Sequence, residues 1–364
     1  MDIECEVLVV GARVAGSITA AHLGRAGYRV LLVDRARFPS PTLSTHFFRG
    51  GRLCSVLRSL GVLDDVLAFG SPPLICDYNY EGTDPAADVT PPQDPGDVGF
   101  ALSVRRGPLD HLLVRRAARE STVEVREGMG VSSLRWDADR VVGATLVDGT
   151  VVAARVVVGA DGRSSFVAAE VGADDQLRAA PTRAMYYRYV TGFTNPDGAA
   201  PDGAEFSLRD DELVYAFPSD GGTTCVAVSV NLEDFAIMRR DAESGFRERT
   251  EAHPGLAPRL RACALDGRLL GCGPQDHVVR KPVGPGWALV GDSSLHQDPW
   301  TGNGMDNAGV HATFLAEAID DWLSGRAPEE DAFTRYHARR DEHAMADLLE
   351  TVELGKDLRQ LATA

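Results

Sequence analysis

The chain has 364 residues, of which 44% are apolar and 25% charged, a balance that excludes wholesale disorder and allows a sizeable core. Lys and Arg number 37 against 53 Asp and Glu, and the net charge of −16 argues against binding nucleic acid or an anionic membrane surface. No apolar run approaches the roughly 18 residues of a membrane span, and the acidic amino end shows no secretory signal. With six cysteines but no CxxC or metal-ligand spacing, we expect a cytoplasmic protein with reduced thiols and no metal site.

The chain begins with the pattern of a βαβ unit. Residues 5–10 form a short apolar run rich in valine, which is typical of a buried parallel strand. Residues 15–26 have helical spacing of apolar side chains and end before Gly27, and residues 29–34 form a second buried strand. Residues 52–69 then predict a further helix with one apolar face.

The pattern changes several times in the rest of the chain. Residues 81–97 are rich in Pro, Asp and Gly and predict an irregular excursion. After it, the pattern predicts a helix at residues 107–120 and a three-stranded meander at residues 131–136, 141–147 and 151–158. A strand-rich aromatic stretch follows at residues 181–232, and a buried strand at residues 286–290. The chain then predicts two helices, at residues 308–323 and 329–354.

This order predicts an α/β fold in which a Rossmann-like, doubly wound domain is interleaved with an antiparallel-sheet domain and followed by a helical carboxyl terminus. The predicted divisions are residues 1–72, 98–180 and 270–325 for the Rossmann-like domain, 73–97 and 181–269 for the sheet domain, and 326–364 for the terminal helices.

A glycine-rich turn joins the first predicted strand to the first predicted helix. Gly11 permits a tight turn, and Gly16 lets the helix pack closely against the strand. The start of that helix offers free N–H groups to a pyrophosphate, and Asp34, at the end of the second strand, can accept hydrogen bonds from an adenosine ribose. Arg13 replaces the second glycine of the usual fingerprint. We therefore predict a dinucleotide site at this turn.

Two further motifs place glycines and a carboxylate at a strand end. Residues 156–165 run from a valine strand into Gly-Ala-Asp-Gly, with Asp161 and Gly162 in the turn. Residues 286–294 run from another apolar strand into Gly-Asp, and residues 299–307 then place a proline and Gly-x-Gly before a long helix. That helix start offers N–H groups to the electron-rich edge of a ring system.

Together the three motifs resemble those of the single-component (group A) FAD-dependent aromatic hydroxylases, which have the para-hydroxybenzoate hydroxylase fold. The resemblance spans roughly residues 1–320 and includes the Arg-x-x-Leu segment that begins at Arg106. It implies an FAD site formed by Gly11, Arg13, Ala15, Gly16, Asp34, Arg35, Arg106, Val131, Asp161, Gly162, Asp292, Pro299, Gly302, Gly304 and Met305.

The resemblance also implies an activity. The protein is expected to be a monooxygenase that uses NAD(P)H as a transient reductant and oxygenates an aromatic or polycyclic small molecule through a flavin C4a-hydroperoxide, in biosynthesis or catabolism. No second strand–GxGxxG–helix unit is present for the nicotinamide, as is usual in this family. No nucleic-acid or integral membrane partner is expected, and the sequence leaves the oligomeric state open.

Several positions depart from the family pattern. Leu295 stands where the Gly-Asp motif usually has histidine, Asp306 replaces an asparagine, and Ala168 replaces an arginine. These departures resemble a divergent branch near the geranylgeranyl-reductase-like flavoproteins. They leave open an FAD-dependent reductase or dehydrogenase, an oxidase without oxygen insertion, and a flavin-fold binding protein without turnover. Halogenases of related fold carry Trp-x-Trp and an essential lysine, whereas this chain has no Trp-x-Trp and no lysine before Lys281, which argues against halogenation.

The substrate is expected to meet the aromatic middle of the chain. Tyr187 and Tyr189 share one face of a predicted strand, opposite Tyr186, and can form an apolar wall with polar tips over the flavin. His46, His296 and Tyr187 are the candidate catalytic residues, since a histidine beside the ring can transfer protons. Arg49 and Arg52 follow the second strand and are further candidates for FAD or substrate contact.

Overall fold

The computed structural model describes residues 2–44, 46–80, 82–89 and 97–363. Its α-helices are α1 (Val14–Arg25), α2 (Ser55–Ser59), α3 (Leu63–Leu67), α4 (Arg106–Ala118), α5 (Phe166–Glu170), α6 (Leu232–Met238), α7 (Ala242–Glu251), α8 (Ala257–Ala262), α9 (Gly304–Leu323) and α10 (Glu329–Gly355). Tighter or wider helical turns lie at Gly50–Cys54, Asp220–Gly222, Gly291–Ser293, Pro299–Thr301 and Leu358–Thr363. No helix of the described residues is both long and apolar enough to cross a membrane.

The strands of the described residues lie in five sheets. In chain order they are β1 (Asp2–Glu4), β2 (Val7–Val10), β3 (Val30–Asp34), β4 (Phe47–Phe48), β5 (Cys76–Tyr80), β6 (Pro85–Val89), β7 (Leu102–Ser103), β8 (Val123–Glu127), β9 (Val131–Asp137), β10 (Arg140–Leu146), β11 (Val151–Ala153), β12 (Val156–Gly159), β13 (Asp175–Ala179), β14 (Arg183–Thr191), β15 (Gly203–Arg209), β16 (Glu212–Pro218), β17 (Thr223–Asn231), β18 (Ala264–Cys272), β19 (His277–Arg280), β20 (Val283–Gly284), β21 (Trp287–Leu289) and β22 (Leu295–His296).

A six-stranded sheet in the order β20-β21-β12-β2-β3-β8 forms the centre of the first domain. Its inner strands are parallel, with Val7 opposite both Val30 and Val156. The residues of β2 and β12 are all buried, as expected for apolar strands covered on both faces. Helices α1, α4 and α9 pack together on one face. Because the carboxyl ends of the parallel strands share one edge, the three glycine-rich turns meet there.

A seven-stranded sheet in the order β18-β14-β17-β16-β15-β5-β6 forms the second domain. One face packs under α6, α7 and α8. The other face carries Tyr187, Tyr215 and Phe217 and packs on Phe47 and Trp300 from the first domain. The predicted α/β fold with an interleaved sheet is thus confirmed, and its aromatic face lies next to the Gly-x-Gly turn.

Three predicted elements are wrong in detail. The helix predicted at residues 52–69 is a helical turn followed by α2 and α3, which separate at Gly61, where φ is +71°. The strand predicted at residues 151–158 is two strands: β11 pairs with β10, whereas the fully buried β12 enters the central sheet. The excursion predicted at residues 81–97 includes β6, which pairs with β5, while residues 81 and 90–96 lie outside the described residues.

Candidate active site

The glycine-rich turn before α1 is closed so tightly that two positions exclude any side chain. Gly11 has φ of +104°, and a Cβ there would lie 2.3 Å from the carbonyl oxygen of Ala160. A Cβ at Gly16 would lie 1.8 Å from the carbonyl oxygen of Gly11. Among the described residues, no side chain caps the start of α1. The first N–H groups of the helix therefore have no side-chain acceptor, an arrangement that suits a pyrophosphate.

Asp34 lies at the end of β3 and holds the same turn. Its carboxylate accepts hydrogen bonds from the N–H groups of Ala12 and Ala36, both at 2.7 Å. The carbonyl oxygen of Asp34 accepts from the N–H of Met129, which places the strand that begins at Val131 nearby. The structure therefore brings Asp34 close to the start of the strand at Val131, both of which the family resemblance assigns to the FAD site. Arg35 is exposed beside them.

Arg13 stands where the fingerprint has its second glycine, and a buried carboxylate holds it. Its guanidinium donates to Asp110 at 2.6 Å and to the Ser40 hydroxyl at 3.2 Å. Asp110 is fully buried and also accepts from Nε of Arg106 at 3.0 Å. Two guanidiniums are thus fixed beside the turn, a geometry that suits phosphate groups. Asp110 was not predicted, although its spacing of four residues from Arg106 on α4 is a usable signal.

Asp161 serves its own loop. Its carboxylate accepts from the Ser165 hydroxyl at 2.5 Å and from the Val167 N–H at 3.1 Å. Burial raises its pKa above the usual value. Gly162 has φ of +82°, which closes the turn after β12. These contacts give Asp161 a structural role in the loop, and its predicted role toward FAD stays a prediction.

The turn after β21 lies against the first glycine turn. A Cβ at Gly291 would lie 2.9 Å from the Cβ of Ala15. The side chain of Asp292 is 42% exposed, and its carboxylate lies 3.4 Å from Nδ1 of His296. Burial raises the pKa of Asp292, but His296 and Arg106 outweigh it and hold that pKa below its usual value. The candidate His296 therefore pairs with Asp292 at this turn.

The start of α9 is joined to the segment after β3 through Asp306. Gly302 takes the left-handed conformation with φ of +73°, and no side chain in the described part of the protein caps α9. The fully buried carboxylate of Asp306 accepts from the backbone N–H groups of Arg49 and Leu53, at 3.0 and 3.2 Å, and pairs with the Arg49 guanidinium at 3.3 Å. An aspartate can therefore stand at residue 306 in place of the usual asparagine, because the Arg49 guanidinium balances its negative charge.

His46 forms a buried cluster with the aromatic sheet. Its Nε2 hydrogen-bonds to the hydroxyl of Tyr189, and the two rings stack with centroids 5.7 Å apart. The Tyr187 hydroxyl accepts from the Ser44 N–H at 3.4 Å, and the Ser44 hydroxyl lies 4.0 Å from the sulfur of Met305. The structure therefore brings together His46, Tyr187 and Met305, which were predicted separately, and adds the Tyr189 hydroxyl as a partner.

Burial keeps His46 neutral near pH 7. The ring is 2% exposed, and burial, with the charges of Arg106 and Arg105, lowers its pKa to about 3. Its Nδ1 has no hydrogen-bond partner among the described residues. A neutral imidazole beside a tyrosine hydroxyl can accept or pass on one proton.

Buried histidines predict a loss of stability in acid. Burial lowers the pKa of His22 and His277 to about 4, as it lowers that of His46. Below about pH 6.5 the unfolded chain binds protons that the folded chain does not, so stability falls as the pH falls toward about 4. Each titrating histidine contributes a slope of about 1.4 kcal/mol per pH unit. Asp161, Asp298 and Asp306 act oppositely, because burial raises the pKa of each, to about 6 in Asp298.

Urea unfolding at several pH values tests this expectation. The free energy of unfolding should decrease from about pH 6.5 to about pH 4.5, because the histidines with a lowered pKa outnumber the three aspartates with a raised one. A value that is constant over this range would contradict the prediction.

A cavity of about 550 Å³ lies between the aromatic sheet and the start of α9. Phe206, Tyr215 and Trp300 form one wall, and Arg49 and Arg52 lie in the lining with side chains of α10. Its volume falls in the range of small-molecule sites. We name it the aromatic cavity. Tyr187 and Tyr189, which were expected to form the aromatic wall, are not in the lining of this cavity, and the contribution of α10 was not predicted.

Comparison with known proteins agrees with this geometry. A family model described as an FAD binding domain matches residues 4–224. A flavin-dependent halogenase, armH3, of Armillaria mellea is 25% identical over all of this chain and 77% of its own length. A menaquinone reductase of Mycobacterium tuberculosis is 27% identical over 88% of this chain and 78% of its own length. A 6-hydroxynicotinate 3-monooxygenase of Pseudomonas fluorescens is 26% identical over 93% of this chain and 88% of its own length.

The fold is shared with a solved structure, PqsL of P. aeruginosa in complex with 2-aminobenzoylacetate. The TM-score is 0.85 at 22% identity, and the match covers 99% of both chains. The expectation that this protein is not a halogenase stays a prediction, because it rests on the lack of Trp-x-Trp and of a lysine before Lys281 in the sequence and not on overall similarity. Since the family model matches more than half of the residues, this chain belongs to the FAD-binding domain family and is an FAD-dependent oxidoreductase of the group A flavoprotein hydroxylase superfamily.

Proposed function

We propose that the protein is a monooxygenase that takes electrons from NAD(P)H and oxygenates an aromatic or polycyclic small molecule. The observation that carries this proposal is the aromatic cavity, which borders Asn303 at the start of α9 and is walled by Phe206, Tyr215 and Trp300. A flat aromatic substrate would there lie beside the turn that faces the flavin ring in the resembling family. The relative whose name includes 6-hydroxynicotinate supports the same reaction class.

The residues present fit the dinucleotide. The Gly11 and Gly16 cradle has no room for a side chain, α1 and α9 start without side-chain caps, and Arg13 and Arg106 are fixed by Asp110. FAD, when bound and reduced, supplies the electrons that activate dioxygen. Asp34 orders the turn for the adenosine end, and the N–H groups at the start of α9 can stabilise negative charge on the ring.

The chain itself contributes positioning, water exclusion and one proton site. The packed aromatic side chains around Tyr215 and Phe217 keep water from the reacting ring. His46 and Tyr189 lie outside the lining of the aromatic cavity, and Tyr189 packs against the same aromatic cluster as Tyr215. With its pKa lowered to about 3, the imidazole does not keep a proton, but the hydrogen-bonded pair can relay one from a substrate hydroxyl or amine, since a neutral imidazole can take a proton on one ring nitrogen as it releases one from the other. Tyr187, tied to Ser44, holds the segment that precedes His46.

Turnover under labelled dioxygen tests the reaction class. The protein is incubated with NAD(P)H and a panel of aromatic substrates, and the product mass is recorded. We expect one labelled oxygen atom in the product and no product without dioxygen. An unlabelled reduced product that forms equally well without air would favour a reductase, a class that the similarity to a menaquinone reductase also supports.

Replacing Asp34 with alanine tests the adenosine end. The carboxylate accepts two backbone hydrogen bonds of the turn at 2.7 Å, so its loss should weaken FAD retention by about 1–3 kcal/mol. The released flavin of the wild-type protein should be FAD and not FMN. Fluorescence titration of the apoprotein with FAD and with FMN measures both. Equal FAD affinity in Asp34→Ala and the wild type would remove Asp34 from the site.

A further inference from the structure

We propose that a buried polar seam between α9, α10 and the Gly50–Cys54 turn binds water and passes protons between the protein surface and the first turn of α9. The seam is formed by Arg52, Asn307, His311 and His343. The proposal rests on the proposed function in one respect: a monooxygenase that uses NAD(P)H takes up one proton in each turnover, because one oxygen atom leaves as water. It is carried by polar atoms of the seam that have no partner.

Helices α9 and α10 form an antiparallel pair whose side-chain contacts fix the register. Arg339 pairs with Glu317 at 2.5 Å. About one turn farther along both helices, Nε2 of His311 lies 3.2 Å from Nδ1 of His343. Because residues four apart share one face of a helix, Asn307 lies on the face of α9 that carries His311. In this register Asn307 stands opposite the turn of α10 that follows His343.

Four polar atoms of the seam have no hydrogen-bond partner among the described residues: Nη1 of Arg52, Nδ1 of His311, and Nδ2 and Oδ1 of Asn307. His311 is fully buried and Asn307 is 2% exposed. Arg52 donates through Nη2 to Asp347 at 2.7 Å, and its charge lowers the pKa of both histidines, which places its guanidinium near them. Because the four atoms are buried, they face the interior and not the aromatic cavity. Buried polar groups without partners are rare in proteins, so a molecule bound in the seam is expected to supply the partners.

The donors and acceptors of the seam identify that molecule as water. Nη1 of Arg52 and Nδ2 of Asn307 can only donate, whereas Oδ1 of Asn307 can only accept. An anion would satisfy the donors and leave the amide oxygen without a donor. The described part of the chain contains no group of three or more side chains that could hold a metal ion. Water both donates and accepts, and a buried water makes about three hydrogen bonds.

His311 and His343 connect this water to the surface. His343 is half-buried on α10, whereas His311 is fully buried. Burial lowers the pKa of both rings, the charges of Arg340 and Arg52 lower that of His311 further, and Asp347 opposes the shift only at His343, so both rings are neutral near pH 7. A neutral imidazole takes a proton on one ring nitrogen as it releases one from the other. A proton that enters at His343 therefore crosses to Nε2 of His311, while the proton on Nδ1 of His311 passes to the water.

A high-resolution crystal structure of the FAD-loaded protein tests the water site. We expect an ordered water within hydrogen-bond distance of Nη1 of Arg52 and of the Asn307 amide. Crystals soaked in bromide should show no anomalous peak in the seam. A bromide peak there would identify an anion site and overturn the proposal. Side chains that bond directly to one another, with no water between them, would also overturn it.

Reoxidation of the reduced, FAD-loaded protein by dioxygen tests the proton path without substrate. Two electrons pass from the flavin to dioxygen, and one proton is taken from solvent to complete hydrogen peroxide. The result is therefore independent of the labelled-dioxygen experiment. His343→Ala should lower the rate constant by about tenfold or more, and imidazole added to the buffer should restore it, because the free ring can replace the missing one.

His337→Ala is the matched control, because His337 lies on the same helix and hydrogen-bonds to Gln176, outside the seam. It should reoxidise at the wild-type rate. Thermal unfolding and FAD content show that both variants are folded. A wild-type rate in His343→Ala, or a loss that imidazole does not restore, would overturn the proton path.

Discussion

Replacing Gly16 with alanine is expected to destabilise the protein by about 3 kcal/mol and to abolish tight FAD retention. The added Cβ would lie 1.8 Å from the carbonyl oxygen of Gly11 and 3.1 Å from the Cβ of Ala160. The first neighbour is backbone that follows the buried strand β2 and cannot turn away as a flexible side chain would. Helix α1 must therefore move from the sheet, which widens the phosphate-binding turn.

The measurements are the free energy of unfolding in urea and the dissociation constant for FAD. Gly82→Ala is a suitable control, because Gly82 is exposed and a Cβ there would meet no atom within 4 Å. The control should keep both values within the error of the wild type. Wild-type stability together with wild-type FAD affinity in Gly16→Ala would show that α1 can shift without cost.

Removing the hydroxyl of Tyr189 should lower turnover by about 10²–10⁴-fold, the usual contribution of a positioned proton-transfer group. Tyr189→Phe leaves the ring that stacks on His46 but removes the oxygen that hydrogen-bonds to Nε2 of that histidine. His46→Gln should have a similar effect, since it removes the imidazole of the pair. The expected loss is in kcat at saturating substrate, with FAD content unchanged.

Tyr186→Phe is the matched control for this pair. Tyr186 neighbours Tyr187 on the same strand but faces the helices, where its ring stacks on Phe235 with centroids 5.3 Å apart. Its hydroxyl should be dispensable for turnover. Because the pKa of His46 lies near 3, the pH profile of the wild type should show no histidine limb near pH 6.5. A wild-type kcat in Tyr189→Phe would assign the pair a structural role alone.

Local patterns predicted the elements that carry strong periodicity or obligatory glycine. The valine runs of β2 and β12 are buried on both faces, and Gly11 and Gly16 occupy positions that no side chain fits. The two long carboxyl-terminal helices, α9 and α10, also follow their predicted ranges closely. Weak periodicity failed at residues 52–69, because a turn at Gly61 interrupts an otherwise helical apolar pattern.

Ion pairs between residues far apart in the chain could not be predicted from local sequence patterns. Asp110 lies 97 residues from Arg13, and Asp306 lies 257 residues from Arg49. Each carboxylate sits in an ordinary helical sequence, and its burial is visible only when α4 or α9 packs on its neighbours. The substitution of aspartate for the usual asparagine at residue 306 became explicable once Arg49 was seen beside it.

The sequence by itself determined the βαβ start and the three glycine-rich turns, because these depend on short-range backbone geometry and on apolar periodicity. The FAD-dependent class followed from the resemblance of those turns to a known family. Tertiary structure alone decided which side chains meet. It joined His46 to Tyr189, fixed Arg13 and Arg106 on Asp110, and brought α10 to the aromatic cavity beside Arg52. The physical reason is that side-chain pairing and burial depend on how helices and sheets pack, and local propensity carries no record of those distances.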